Sequence, residues 1–190
     1  MSFAHRLFIV LGLGWTLAHA QGFNPVALQQ AQREALAPLA VFDGEWRGTA
    51  RTLLPSGQWM ELTQTERVGP MLDGTLRVIE GRGYDAQGQL RFNAFGVISY
   101  RPMQKAYGFH SYAMGFEGDH AMELLPDGFV WSVQAGPNAR LRYTLRVVDG
   151  QWQEYGERLV EGQPPQRTFE MTLQRIGPST WPAAGFVPPR

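Results

Sequence analysis

From Gly44 onward the chain alternates apolar and polar residues with a period of two, and a turn signal interrupts the alternation about every 8–15 residues. The signals are Pro55-Ser56-Gly57, Asp73-Gly74, Gln87-Gly88, Asp127-Gly128, Gly136-Pro137-Asn138, Asp149-Gly150 and the stretch Gly162–Pro165. Period two sends successive side chains to opposite faces of a strand, and Asp-Gly or Pro-Gly punctuation turns one strand back onto the next. Ten strands are predicted, near 45–53, 58–68, 75–83, 90–100, 106–114, 119–125, 129–135, 140–148, 151–160 and 167–176. The pattern is cleanest where Leu141, Tyr143, Leu145 and Val147 alternate with Arg140, Arg142, Thr144 and Arg146, and where Phe169, Met171 and Leu173 alternate with Thr168, Glu170 and Thr172. No second long helix interrupts the series. Consecutive hairpins make a meander, and a meander of this length removes its exposed edges by closing. The expected fold is therefore all-β: an up-and-down antiparallel β-barrel of about ten strands with one N-terminal helix. A sandwich is the competing architecture, but it calls for long crossovers that these short loops do not offer.

Residues 24–41 carry the helical pattern. Asn24 caps, Pro25 suits the first turn, and Val26, Leu28, Ala31, Ala35, Leu36 and Leu39 form an apolar stripe that Pro38 cuts short. Residues 1–20 read as a secretory signal: Arg6, then an apolar run from Leu7 to Leu17, then Ala18-His19-Ala20 with small residues at the cleavage positions. That run of 11 residues is shorter than the ~20 needed to span a bilayer as a helix. The division is thus a signal peptide (1–20), an N-terminal helix (21–41), a barrel (42–176) and a Pro-rich tail (177–190), with a periplasmic or secreted destination and no membrane span after cleavage.

Composition removes several kinds of chemistry. Lys+Arg and Asp+Glu both number 17, so there is no basic field for nucleic acid. The chain has no cysteine, which excludes disulfides, thiolate metal sites and cysteine nucleophiles. Lys105 is its one lysine. Signal cleavage would leave His110 and His120 as the only histidines, too few for a multi-histidine metal site. No G-x-G-x-x-G, G-x-S-x-G, H-E-x-x-H or Walker sequence occurs.

The first strand opens with Phe42-Asp43-Gly44-Glu45-Trp46, placing G-x-W directly after the helix. In this the chain resembles the calycin superfamily of lipocalins, fatty-acid-binding proteins and nitrobindins. The runs Leu72-Asp73-Gly74, Ile98-Ser99-Tyr100 and Trp152–Glu157 are similar to a bacterial calycin-like family. The resemblance covers roughly residues 38–176. It implies that Trp46 packs against an arginine of the closing strand, for which Arg175 is placed. The lipocalin T-D-Y motif, the disulfides of secreted lipocalins and the helical lid of fatty-acid-binding proteins are absent. A nitrobindin-like ten-stranded barrel is the nearest shape.

If Trp46 points inward, period two predicts inward rows of Met60, Leu62, Gln64, Glu66 and Val68 on the second strand, and Leu76, Val78, Glu80 and Arg82 on the third. His110 and Tyr112 share a face on the fifth, while His120, after Gly118-Asp119, is expected to sit exposed at a turn. The candidate ligand-binding residues are Gln64, Glu66, Glu80, His110, Tyr112 and Trp131, a few polar groups on an apolar wall with Leu62 and Val78. The expected partner is a small apolar or amphipathic ligand, with no metal and no cofactor; haem through His110 is the alternative. Two further readings stay open: a hydrolase or isomerase using Glu66, Glu80, Tyr112 and His110 as an acid/base set, and a structural module with a filled barrel.

Overall fold

The computed structural model describes residues 24–181. The signal-peptide reading and the last nine residues of the tail (182–190) lie outside them. The Asn24 side chain accepts a hydrogen bond from the Ala27 backbone N–H at 3.1 Å and opens α1 (Pro25–Leu36). The helical pattern over 24–41, expected to be cut short by Pro38, ends as α-helix at Leu36 and tightens into a 3-10 segment, Ala37–Phe42. Pro38 has no N–H to offer the carbonyl four residues back.

Ten strands follow: β1 (Gly44–Leu53), β2 (Trp59–Met71), β3 (Leu76–Tyr84), β4 (Leu90–Arg101), β5 (Ala106–Ala113), β6 (Phe116–Leu125), β7 (Gly128–Gln134), β8 (Ala139–Val148), β9 (Gln151–Val160) and β10 (Gln166–Gly177). Each pairs antiparallel with the next, and β10 pairs with β1 to close the barrel. One turn differs from expectation. The β5–β6 reversal is made by Met114 (φ 52°) and Gly115 (φ 88°), both left-handed as a tight hairpin requires, and not by Gly118-Asp119. Strand β6 therefore starts at Phe116, and His120 lies within it, paired with Phe109.

The N-terminal segment stoppers one end. Leu36, Leu39 and Phe42 are buried against Trp46, Val68, Ile98, Phe129, Trp152 and Leu173. Phe42 meets Trp152 edge-on at 5.0 Å, and Trp152 meets Trp46 at 5.8 Å with the rings near perpendicular. Trp46 has no exposed surface, and its indole N–H donates to the Phe42 carbonyl at 2.8 Å. Arg175, opposite Trp46 in the closing register, lays its guanidinium 4.3 Å from the Trp46 ring centroid. The same guanidinium donates to the Val41 and Asp43 carbonyls. Gly44, with φ 141°, sits where a Cβ would come within 2.8 Å of the Arg175 Nη1 and the Gly177 carbonyl. This is why the motif opens on glycine. Tyr107 donates to the Ala35 carbonyl at 2.8 Å and ties the helix to the wall. The described part of the tail runs outside, where Thr180 donates to Glu45 at 3.0 Å and Trp181 faces Phe95.

Trp46→Ala removes the largest member of this stopper and is expected to cost about 3–5 kcal/mol. Arg175→Lys loses less, because an ammonium cannot both stack on the ring and reach two carbonyls. Urea denaturation midpoints measure both; midpoints equal to the parent's would show that the stopper does not hold the barrel.

Candidate functional site

Above the stopper the barrel encloses a cavity of about 330 Å³. Its existence follows from the residues that neighbouring strands set side by side. Gly81, Ala94 and Ala113 are aligned across β3, β4 and β5 by register, a row of small side chains on one wall. Facing residues elsewhere are large: Phe92, Phe109, Trp131, Tyr143 and Phe169, with Leu62, Ile79, Leu145 and Met171. Trp131 stacks on Tyr143 at 4.5 Å and 14°, and Phe109 meets Trp131 edge-on at 5.0 Å. The polar side chains on the wall are Thr52, Gln64, Glu66, Ser111 and Glu154, with Arg91 at the mouth held 2.6 Å from Asp85.

Of the residues proposed from sequence, Gln64, Glu66 and Trp131 lie on the cavity wall with Leu62. Glu80, His110 and Tyr112 do not. The parity of β3 is the reverse of the expected one: Ile79 and Gly81 face inward, and Glu80 and Arg82 pair with each other on the outside at 2.9 Å. Glu66 faces Gly81 in the register, where a Cβ would come within 2.6 Å of its Oε1; a Cβ at Gly83 would come within 2.9 Å of Gln64 Oε1. The long polar side chains of β2 thus require glycine opposite them, and that requirement sets the facing of β3. Val78 consequently lies on the outer side, buried beside Gly69, whose open surface Ser179 and Trp181 occupy. On β5 the inward residues are Phe109, Ser111 and Ala113. His110 points outward, with Nδ1 2.9 Å from Asp119, and exposed Tyr112 lies against its ring at 4.8 Å. The acid/base set of Glu66, Glu80, Tyr112 and His110 is therefore not assembled, and an axial position on His110 would not face the cavity.

Two residues on the inner side escaped the sequence reading. His120, expected to be exposed, turns inward: its Nε2 is 2.8 Å from Ser111 Oγ and its ring 4.9 Å from Trp131. Glu154 shares its face with Trp152 and Gly156, a parity visible in Trp152-Gln153-Glu154-Tyr155-Gly156 once Trp152 is known to be inside. It receives no hydrogen bond among the described residues, and burial pushes its carboxyl up to about 8. Glu66 is also raised well above the usual carboxylate range. Burial is the main cause, the Gln64 amide donating to it at 2.7 Å opposes, and the charges of Glu154 and Glu80 add to the rise. Burial and then Glu154 push the Tyr143 phenol up to about 12. Burial lowers His120. Burial therefore favours the neutral form of both cavity acids.

Unfolded, Glu154 titrates near 4.5, and folded near 8. Between these values the folded chain keeps a proton that the unfolded chain has released. Stability is full below the lower value and falls as pH rises through the upper one, by at most ~1.4 kcal/mol per pH unit for each such group. The thermal midpoint should drop between about pH 5 and pH 9. Glu154→Gln should flatten the drop and exceed the parent in stability at the alkaline end. Parallel profiles for parent and variant would refute the burial of this acid.

No protein-family model matches the sequence, and no curated protein matches it. Solved structures do match: Rv2717c from M. tuberculosis superposes with a TM-score of 0.55 over 74% of this chain and 96% of that one, at 13% sequence identity. At that identity the likeness is one of fold. The chain is a closed ten-strand antiparallel barrel with one N-terminal helix, an architecture compatible with the calycin barrels.

Proposed function

We propose that the protein is an exported, calycin-like carrier that holds a small, largely apolar ligand in its central cavity. The observation that carries this reading is the cavity of about 330 Å³ with its aromatic wall. Its volume falls in the range of small-molecule sites, and its mixture of many apolar and few polar groups is their usual lining. A structural barrel would fill its interior with side chains; here the row of Gly81, Ala94 and Ala113 keeps it open. Export is supported by the order of Arg6, the apolar run and Ala18-His19-Ala20.

A neutral aromatic probe such as 1-methylnaphthalene should quench tryptophan fluorescence, because Trp131 and Trp152 line the cavity. Ala94→Phe, which projects a ring from the small-residue wall, should weaken that binding more than tenfold while the thermal midpoint holds. Undiminished binding in this variant would place the probe elsewhere and defeat the reading. Expressed with its own leader, the protein should begin at Gln21 by N-terminal sequencing; an intact N-terminus in the membrane fraction would defeat the export reading.

A further inference from the structure

The deep end of the cavity has acids without cations. Glu66 and Glu154 both face it. Among the described residues Glu66 receives one hydrogen bond, from Gln64, and neither acid has an ion-pair partner. The nearby arginines are committed: Arg91 to Asp85 at 2.6 Å, Arg77 below the cavity to Asp43 at 3.3 Å, and Arg82 on the outer face to Glu80 at 2.9 Å. Buried carboxyls in folded proteins are ordinarily paired or multiply hydrogen-bonded, because an unpaired one is costly. Here Glu154, partly buried, faces the cavity with no donor among the described residues, and its charge disfavours ionisation of Glu66.

An occupant that relieves this arrangement is positively charged at one end. The rest of the wall suits the remainder of such a molecule. The rings of Trp131, Tyr143 and Phe109 offer apolar area, and the faces of aromatic rings carry the negative side of their quadrupole. We propose that the ligand is a small organic amine, its apolar body against the aromatic wall and its ammonium held by the carboxyls of Glu154 and Glu66. This rests on the ligand-binding reading above and narrows it to a chemical class. A carboxylate ligand would find no free cation on this wall and would oppose ionisation of the acids, and a neutral hydrocarbon would leave both acids unmatched.

Binding of such a cation is linked to pH. The amine arrives charged, and the ion pair forms when Glu154 releases its proton, so affinity rises with pH by about tenfold per unit until Glu154 is ionised. The other titratable groups on this wall are Glu66 on β2, Arg91 at the mouth on β4, Tyr143 on β8, and His120 on β6 through Ser111. The facing residues of β1, β3, β5, β7 and β10 are uncharged, among them Thr52, Ile79, Phe109, Trp131 and Met171; Glu80 acts on Glu66 from the outer side of β3.

The test is a set of three ligands sharing one ring: 1-naphthylmethylamine, 1-methylnaphthalene and 1-naphthylacetate, titrated by tryptophan fluorescence at about pH 6, 7 and 8. The amine should bind at least tenfold tighter than the neutral compound at the highest pH and lose that advantage as the pH falls, with the anion weakest. In Glu154→Gln the amine should lose at least tenfold and its pH slope, while the neutral compound binds as in the parent. Glu66→Gln is the second variant if that one does not fold, and the parent's ranking needs no variant at all. An amine no tighter than the neutral compound, with the neutral compound bound, overturns the amine assignment and leaves the cavity reading intact. Absence of binding by all three overturns both.

Discussion

Closing ten strands sets a circumference that inward side chains cannot fill over its whole height; eight strands already give an interior about as wide as side chains can occupy. The remaining space has to be stoppered or left open, and this chain does one at each end. At the N-terminal end α1 and the 3-10 segment push Leu36, Leu39 and Phe42 into the opening, where Trp46 and Trp152 meet them edge-on. Arg175 then bridges the Trp46 ring and two carbonyls of the incoming chain, so that the first and last strands and the stopper meet at one guanidinium. The aromatic cluster continues upward through Phe129 and Phe109 to Trp131 and Tyr143, and becomes the wall of the cavity.

The two ends treat buried charge differently. Asp43 and Arg77 at the stoppered end are both desolvated, which raises the acid and lowers the base, yet each offsets part of the other's penalty at 3.3 Å. In the cavity Glu66 and Glu154 are desolvated with no base to offset them, and each sits among apolar neighbours. A chain selected for stability alone would place glutamine or leucine at these positions, since an ionisable group buried without a partner is costly. Local rules are broken in this way mainly at functional sites. The outer face keeps its charges in ordinary pairs, such as Arg142 with Glu157 at 2.8 Å and Arg51 with Glu170 at 2.5 Å.

Element boundaries were legible because they depend on local chemistry. Asp-Gly and Pro-Ser-Gly reverse a chain whatever lies around them, and Pro38 ends a helix by lacking an N–H. The exception is instructive: Gly118-Asp119 is as good a turn signal as Asp149-Gly150, but β6 runs through it, because Met114-Gly115 had already turned the chain. Glu66 and Gln64 were legible as inward residues because they share parity with Leu62 and Val68, whose alternatives on the other face are threonine and glutamate. Glu154 was overlooked because Trp152-Gln153-Glu154-Tyr155 carries one aromatic on each face.

By itself the sequence determined the number of the strands, the meander order, and the facing of β2, β8 and β10. These are properties of one strand or one turn at a time. Only the tertiary structure decided the facing of β3 and β5, the inward turn of His120, and the meeting of Glu154 with Glu66 in one cavity. On β3 and β5 both rows carry apolar and polar residues, so period two offers two faces without saying which is inside. The choice passes to the neighbouring strand: Glu66 and Gln64 need the space that only Gly81 and Gly83 leave, and that steric demand, transmitted by register, turns Glu80 and then His110 and Tyr112 out to solvent.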